Sequence, residues 1–170
     1  IGEIIVILNA DDFFEEKNAL EKISNEFDQD ENLSLLMSNI KIINKKKQTL
    51  RIYKNNFFKN FMFYFGLMPP HPGIFIKREI YSKYGKFVEK FITAGDFEFI
   101  LRIFVKHNVI YKKIDYYLVN MLSGGKSNKN IKSFILNTIE IKKALKINKL
   151  FSSYILISFR FIIKLFQFKV

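Results

Sequence analysis

Four groups of side chains in this 170-residue chain have the types and spacing to do chemistry. The first ends an apolar run, where "EIIVILNADDFF" stops at Asn9, Ala10, Asp11 and Asp12. Neighbouring carboxylates repel each other, and a hard divalent cation relieves that repulsion. Magnesium or manganese takes oxygen ligands and leaves positions open for substrate phosphates. The competing reading is that Asp11 and Asp12 cap a following helix. The second group is Asp96 in "TAGDFEF", where a small-residue turn delivers an acid to a helix N-terminus. That placement keeps a carboxylate ionised and able to accept a proton, although a plain N-cap has the same sequence signature. Glu98, two residues on, points elsewhere around the helix. The third is His71, held between Pro69, Pro70 and Pro72 in stiff, extended backbone. An imidazole there could bind phosphate or metal, hydrogen-bond a sugar, or serve only the loop. The fourth is "SGGKSNKN", in which Gly124, Gly125 and Lys126 combine backbone freedom with a cation. Such a segment suits a flap over a diphosphate or an ordinary solvated loop.

These groups need elements to position them. "EIIVIL" is continuously apolar and β-branched, the pattern of a strand covered on both faces in a parallel sheet. "EEKNALEKISNEF" spaces Ala19, Leu20, Ile23 and Phe27 as one helical face, with acids in its first turn. "LSLLMS" predicts a second buried strand, and this strand–helix–strand order resembles half of an open α/β sheet. "IKIINKKKQTLRIY" predicts two strands around a basic turn at residues 45–48. "GIFI" then reads as a strand and "REIYSKYG" as a short helix closed by Gly85. A helix from about Asp96 buries Ile100, Leu101, Phe104 and Val105, with His107 an ordinary cation at its end. "VIYKKIDYYLVNML" is a strand leading to the Gly-Gly loop. Last comes an amphipathic helix with Lys142, Lys143, Lys146 and Lys149 on its wet side.

Charge is unevenly spread beneath the net +12. Residues 1–40 hold ten acids and two bases, residues 41–125 hold five acids and sixteen bases, and residues 126–170 hold one acid and ten bases. A uniformly basic nucleic-acid binder would lack the acidic start, and no recognisable motif interleaves basic and exposed aromatic residues. The basic tail points instead to an anionic surface. "LFSSYILISFRFIIKLFQFKV" is interrupted by Arg160 and Lys164, which argues against a membrane span. Ser153, Arg160, Lys164 and Gln167 form one narrow polar stripe, as in a helix lying in a membrane interface, cations toward phosphates. A terminal helix packed on the domain is the alternative. With no cysteine there are neither disulfides nor thiolate metal sites.

Taken in order, "GEIIVILNADDFF", "HPGIFIKREIYSKYGKF", "AGDFEFILRIF" and "GGKS" resemble the family 2 glycosyltransferases of bacterial surface-polysaccharide synthesis. The resemblance covers residues 1–128 and leaves 129–170 as a basic, amphipathic helical tail. It implies a GT-A fold, a mixed α/β sheet flanked by helices, with a metal-bridged sugar nucleotide at its carboxyl edge. It implies inverting transfer of a sugar from a nucleoside diphosphate to a hydroxyl of a lipid-linked or polysaccharide acceptor, at the cytoplasmic face of the cell membrane. Asn9, Ala10 and Asp11 fall on that family's Asp-x-Asp motif. Asp11, with Asp12 beside it, is then the expected ligand of magnesium or manganese. Asp96 matches the general base. His71 matches a wall of the donor and acceptor pocket, and Gly124, Gly125 and Lys126 the diphosphate side. Two departures accompany this. Asn9 replaces the first Asp of the motif, and the family's opening strand and nucleoside-binding half are missing, so the chain is expected to be the second half of a catalytic domain. A transferase-like scaffold without activity and a basic nucleic-acid-binding module are the competing functions.

Overall fold

Each strand of the sheet is short except two, and those two hold the molecule together. In the computed structural model, which describes residues 2–123 and 131–166, the chain begins with strands β1 (Ile4–Val6) and β2 (Phe13–Phe14) and helix α1 (Ala19–Asp28). Strands β3 (Leu35–Ile43) and β4 (Thr49–Tyr53) come next, then three 3₁₀ turns, the last of them His71–Gly73. Strand β5 (Ile74–Lys77) runs straight into helix α2 (Arg78–Tyr84). Helix α3 (Gly95–Leu101) passes into a π turn, followed by strand β6 (Tyr111–Leu122) and helices α4 (Ile131–Ile147) and α5 (Tyr154–Phe166). Gly124, Gly125, Lys126 and Gln167 lie outside the described residues.

The sheet is mixed, in the order β1-β5-β3-β6-β2, with β4 also on β3. Parallel pairing joins β3 and β6, while β1–β5, β3–β5, β3–β4 and β2–β6 are antiparallel. Strand alternation sorts the apolar residues into two cores. Leu35, Met37, Ile74 and Ile76 face a cluster with Phe63, Phe97, Phe99, Phe104 and Leu145. Leu36, Ile40 and Phe75 face the other side, against Ala19, Ile23 and Phe27 of α1 and Leu118 of β6. Fully apolar β3 and β5 segments are therefore covered on both faces, as their sequence implies. The molecule is an α/β fold with helices on both faces of a mixed sheet.

Several boundaries differ from the sequence reading. The first strand spans three residues rather than 3–8, is half-buried, and pairs antiparallel with β5 at the end of the sheet. Strand β3 does not stop at Ser38, because Ser38 and Asn39 are buried and bonded: Asn39 Oδ1 accepts from the Asn55 N–H at 2.8 Å and its Nδ2 donates to Asp115 at 2.7 Å. Helix α1 starts at Ala19, after Glu15 and Glu16, and leaves Leu20 60% exposed. The basic turn before β4 and the closure of α2 at Gly85, which has a left-handed φ of 86°, follow the sequence reading.

Helices α4 and α5 continue the first core: Ile141, Ala144, Leu145 and Ile157 are all buried in it. Arg160 is only 3% exposed and faces α4, not an outer surface. Its Nη1 donates to Asn137 Oδ1 at 2.9 Å and its Nη2 to Thr138 Oγ1 at 2.7 Å. This corrects the expected stripe, since the cation is used to pair two helices. The outward side of α5 is instead apolar, with Ile155, Phe159 and Ile162 exposed at helical spacing. No helix among the described residues is long and apolar enough to cross a membrane.

Candidate active site

Antiparallel pairing explains how distant residues converge. Val6 sits opposite Phe75, so the chain leaving β1 toward Asn9 runs beside the chain entering β5 from His71. The 3₁₀ turn His71–Gly73 packs against β3, and no side chain larger than hydrogen fits at its last residue: a Cβ on Gly73 would lie 2.7 Å from the Ser38 carbonyl oxygen and 2.8 Å from Ile40 Cγ2. Helix α3 brings its first turn to the same place. The result is a cleft of about 430 Å³ lined by Asn9, His71, Asp96, Tyr81, Phe87 and Ile92, among others.

Asp96 and His71 face each other, with His71 Nδ1 3.5 Å from Asp96 Oδ2. The other carboxylate oxygen of Asp96 accepts the Phe97 N–H at 2.7 Å. Both side chains are about one-third open to solvent (28% for His71, 35% for Asp96), enough for a substrate hydroxyl to reach the carboxylate. Asp96 lies inside the first turn of α3; Ala94 occupies the N-cap, so the plain-cap reading of Asp96 is set aside. Glu98 is 1% exposed and structural: Arg102 Nε donates to its Oε1 at 3.0 Å, and the same guanidinium bonds the Tyr84 carbonyl.

The acidic loop is only partly at the cleft. Asn9 lines it, whereas Asp11 and Asp12 do not. The Asp12 carboxylate accepts from the Asn9 backbone N–H at 3.2 Å and from Asn9 Nδ2 at 2.8 Å, while the Asp12 N–H donates to the Asn9 carbonyl at 3.0 Å. Asp12 thus closes a turn that orients Asn9. Neither aspartate caps a helix, because β2 intervenes and Asn18 occupies the N-cap of α1. Asp11 is exposed and, among the described residues, makes no hydrogen bond or ion pair. No cluster of three metal-ligating side chains occurs among the described residues. Asp11, two residues beyond the cleft-lining Asn9, is thus the carboxylate of this loop left free.

Other walls of the cleft were not singled out by sequence. Tyr81 stacks on Phe99 with ring centroids 4.8 Å apart, and burial pushes its phenol up to about 12. Its hydroxyl therefore stays a donor at any physiological pH. His107 stacks on Tyr84 at 4.0 Å, away from the cleft lining; burial and the cations Lys106, Arg102 and Lys83 push its imidazole below the usual value. Behind the cleft lies Glu140 of α4, only 6% exposed, its carboxylate bonded to the loop before α3. A lone acid among ten bases in residues 126–170 is a signal that could have drawn attention to it.

The fold and cleft define an α/β protein with an acid–imidazole pair at the edge of a mixed sheet. No family model matches the chain, and no curated protein matches it.

Proposed function

We propose that this chain acts in inverting glycosyl transfer of the family 2 type, moving a sugar from a nucleoside diphosphate to a hydroxyl acceptor. The observation that carries this reading is the convergence of Asp96, His71 and Asn9 on one cleft at the carboxyl end of β1. Open α/β sheets bind their ligands beyond the carboxyl ends of strands. In the proposed reaction the acceptor oxygen attacks the anomeric carbon, the bond from that carbon to the phosphate oxygen breaks, and the diphosphate leaves with the electron pair. The Asp96 carboxylate takes the acceptor proton. His71, 3.5 Å away, holds that carboxylate toward the cleft. Asn9, oriented by Asp12, supplies an amide to the donor. A magnesium or manganese ion on Asp11 would place positive charge beside the leaving diphosphate.

Calorimetry with manganese and a panel of nucleoside-diphosphate sugars tests the donor half of this reading. The full-length protein is expected to bind one donor in a manganese-dependent manner. Asp11→Ala should weaken that binding by at least about 10–100-fold, the loss seen when only a metal's outer shell is disturbed. Silence across the panel combined with salt-dependent gel retardation of nucleic acid would favour the nucleic-acid module instead. Silence in both assays would leave the inactive scaffold.

The same reading places the protein on the inner face of a membrane, where lipid-linked acceptors are met. Ile155 (74% exposed), Phe159 (45%) and Ile162 (50%) form an outward apolar ridge on α5, with Phe151 (78%) just before it. Lys143, Lys146 and Lys149 are exposed on and just after neighbouring α4. Lys142 of α4 lies over the Tyr154 ring at the start of α5, and an apolar ridge on a basic helical tail matches acyl chains under anionic head groups. The double variant Ile155→Glu with Phe159→Glu is expected to stop sedimentation with phosphatidylglycerol-containing vesicles. Unchanged sedimentation of that variant would remove the ridge from membrane binding.

A further inference from the structure

We infer that Glu140 is a positioning residue for Asp96, a role that rests on the transferase reading above. Glu140 projects from the middle of α4 into the back of the cleft wall and gathers three consecutive backbone N–H groups. Its Oε1 accepts from Ile92 at 2.8 Å, and its Oε2 accepts from Thr93 at 2.7 Å and Ala94 at 2.9 Å. The Thr93 hydroxyl also donates to Oε2, at 2.8 Å. Burying a carboxylate is costly unless it is fully hydrogen-bonded, and charge-assisted bonds of this kind are the strong ones. Burial alone would push the Glu140 carboxyl up; the bonds from Ile92, Thr93 and Ala94 outweigh it and hold the carboxyl below its ordinary value.

The segment so held leads directly into the site. Ala94 caps α3, its carbonyl accepts the Glu98 N–H at 2.9 Å, and Asp96 lies two residues beyond. Asn137, one turn before Glu140 on α4, donates from Nδ2 to the Thr93 carbonyl at 3.1 Å, and its Oδ1 receives Arg160 of α5. The loop is thus held at both its N–H groups and a carbonyl. Ile92 nevertheless keeps an 80% exposed side chain at the lip of the cleft. Without this clamp the direction of Asp96 rests on the core packing of Phe97 and Ile100 and on the His71 contact alone, with the loop before α3 untied from α4.

Glu140→Gln tests the role, because an amide cannot accept at both oxygen positions and turns an N–H toward one set of donors. Amide exchange of residues 92–94, followed by NMR, should accelerate in the folded variant. In the full-length enzyme kcat should fall about 100-fold, as an ångström-scale displacement of a reacting group produces, with the donor KM unchanged. Glu140→Asp, which keeps the charge, should recover part of the loss. If Glu140→Gln does not fold, Asn137→Ala, which removes the bond to the Thr93 carbonyl together with the acceptor of Arg160 Nη1, is expected to change exchange and kcat in the same directions by a smaller factor. An active wild-type enzyme with kcat unchanged in the folded variant, or unchanged exchange at residues 92–94, would overturn the positioning role alone. A wild-type protein that transfers sugar from no donor would overturn the transferase reading and the positioning role with it, while the exchange data still report whether the clamp exists.

Discussion

Asp96→Asn in the full-length protein is expected to lower turnover about 10²–10⁴-fold, the usual contribution of a general base, while donor binding is kept. The substitution preserves size and one oxygen, so the 2.7 Å bond from the Phe97 N–H can survive. It removes the acceptor for a proton at the place where His71 and Asp96 meet, 3.5 Å apart. A smaller companion effect follows for His71→Gln, which leaves the Asp96 carboxylate in place and removes the imidazole 3.5 Å from it. Stopped-flow or radiolabel transfer assays at saturating donor distinguish the two, because the first variant loses chemistry at any acceptor concentration. Near-normal turnover of Asp96→Asn with intact binding would take Asp96 out of the base role.

Gly73→Ala should lower the thermal midpoint by about 6–12 °C, from an overpacking cost of about 3 kcal/mol spread over a chain of this size. The added methyl meets a backbone oxygen at 2.7 Å, and that oxygen belongs to Ser38 in the central strand β3. Neither partner can swing away as a long side chain would. Relief requires the His71–Gly73 turn to lift off β3, which also moves His71 relative to Asp96, so activity should fall more than residual stability alone predicts. Gly95→Ala makes a sharp control in the same cleft. Its Cβ would lie 3.8 Å from Phe91 Cβ, ordinary contact, and alanine is the better helix former. Calorimetric scanning should therefore show a midpoint unchanged or slightly raised. Equal losses at both positions would mean the close approach at Gly73 is not the cause.

Local signals were strong where one element explains itself. The apolar runs of β3 and β5, the basic turn before β4, the 3.6-residue face of α1 and the positive-φ glycine after α2 are each written within a few residues. They survive because the physics that produces them is also local. Asp96 and His71 were visible as candidates for the same reason: a small-residue turn before an acid and a proline-fixed histidine are local oddities.

What the sequence by itself determined is the α/β class, most element positions and a short roster of reactive side chains. Only the tertiary structure decided which of those side chains meet. Antiparallel pairing of β1 with β5 carried Asn9 to His71, while a turn closed by Asp12 left Asp11 outside the cleft lining. Arg160, read as a surface cation, became a buried tie between α4 and α5, because its guanidinium found Asn137 and Thr138 within reach. Glu140, the lone acid in a lysine-rich tail, became the anchor of the loop that carries Asp96. Hydrogen bonds between residues more than 20 positions apart leave no periodic trace in a sequence; they exist only once the packing of helices on a sheet has set the distances.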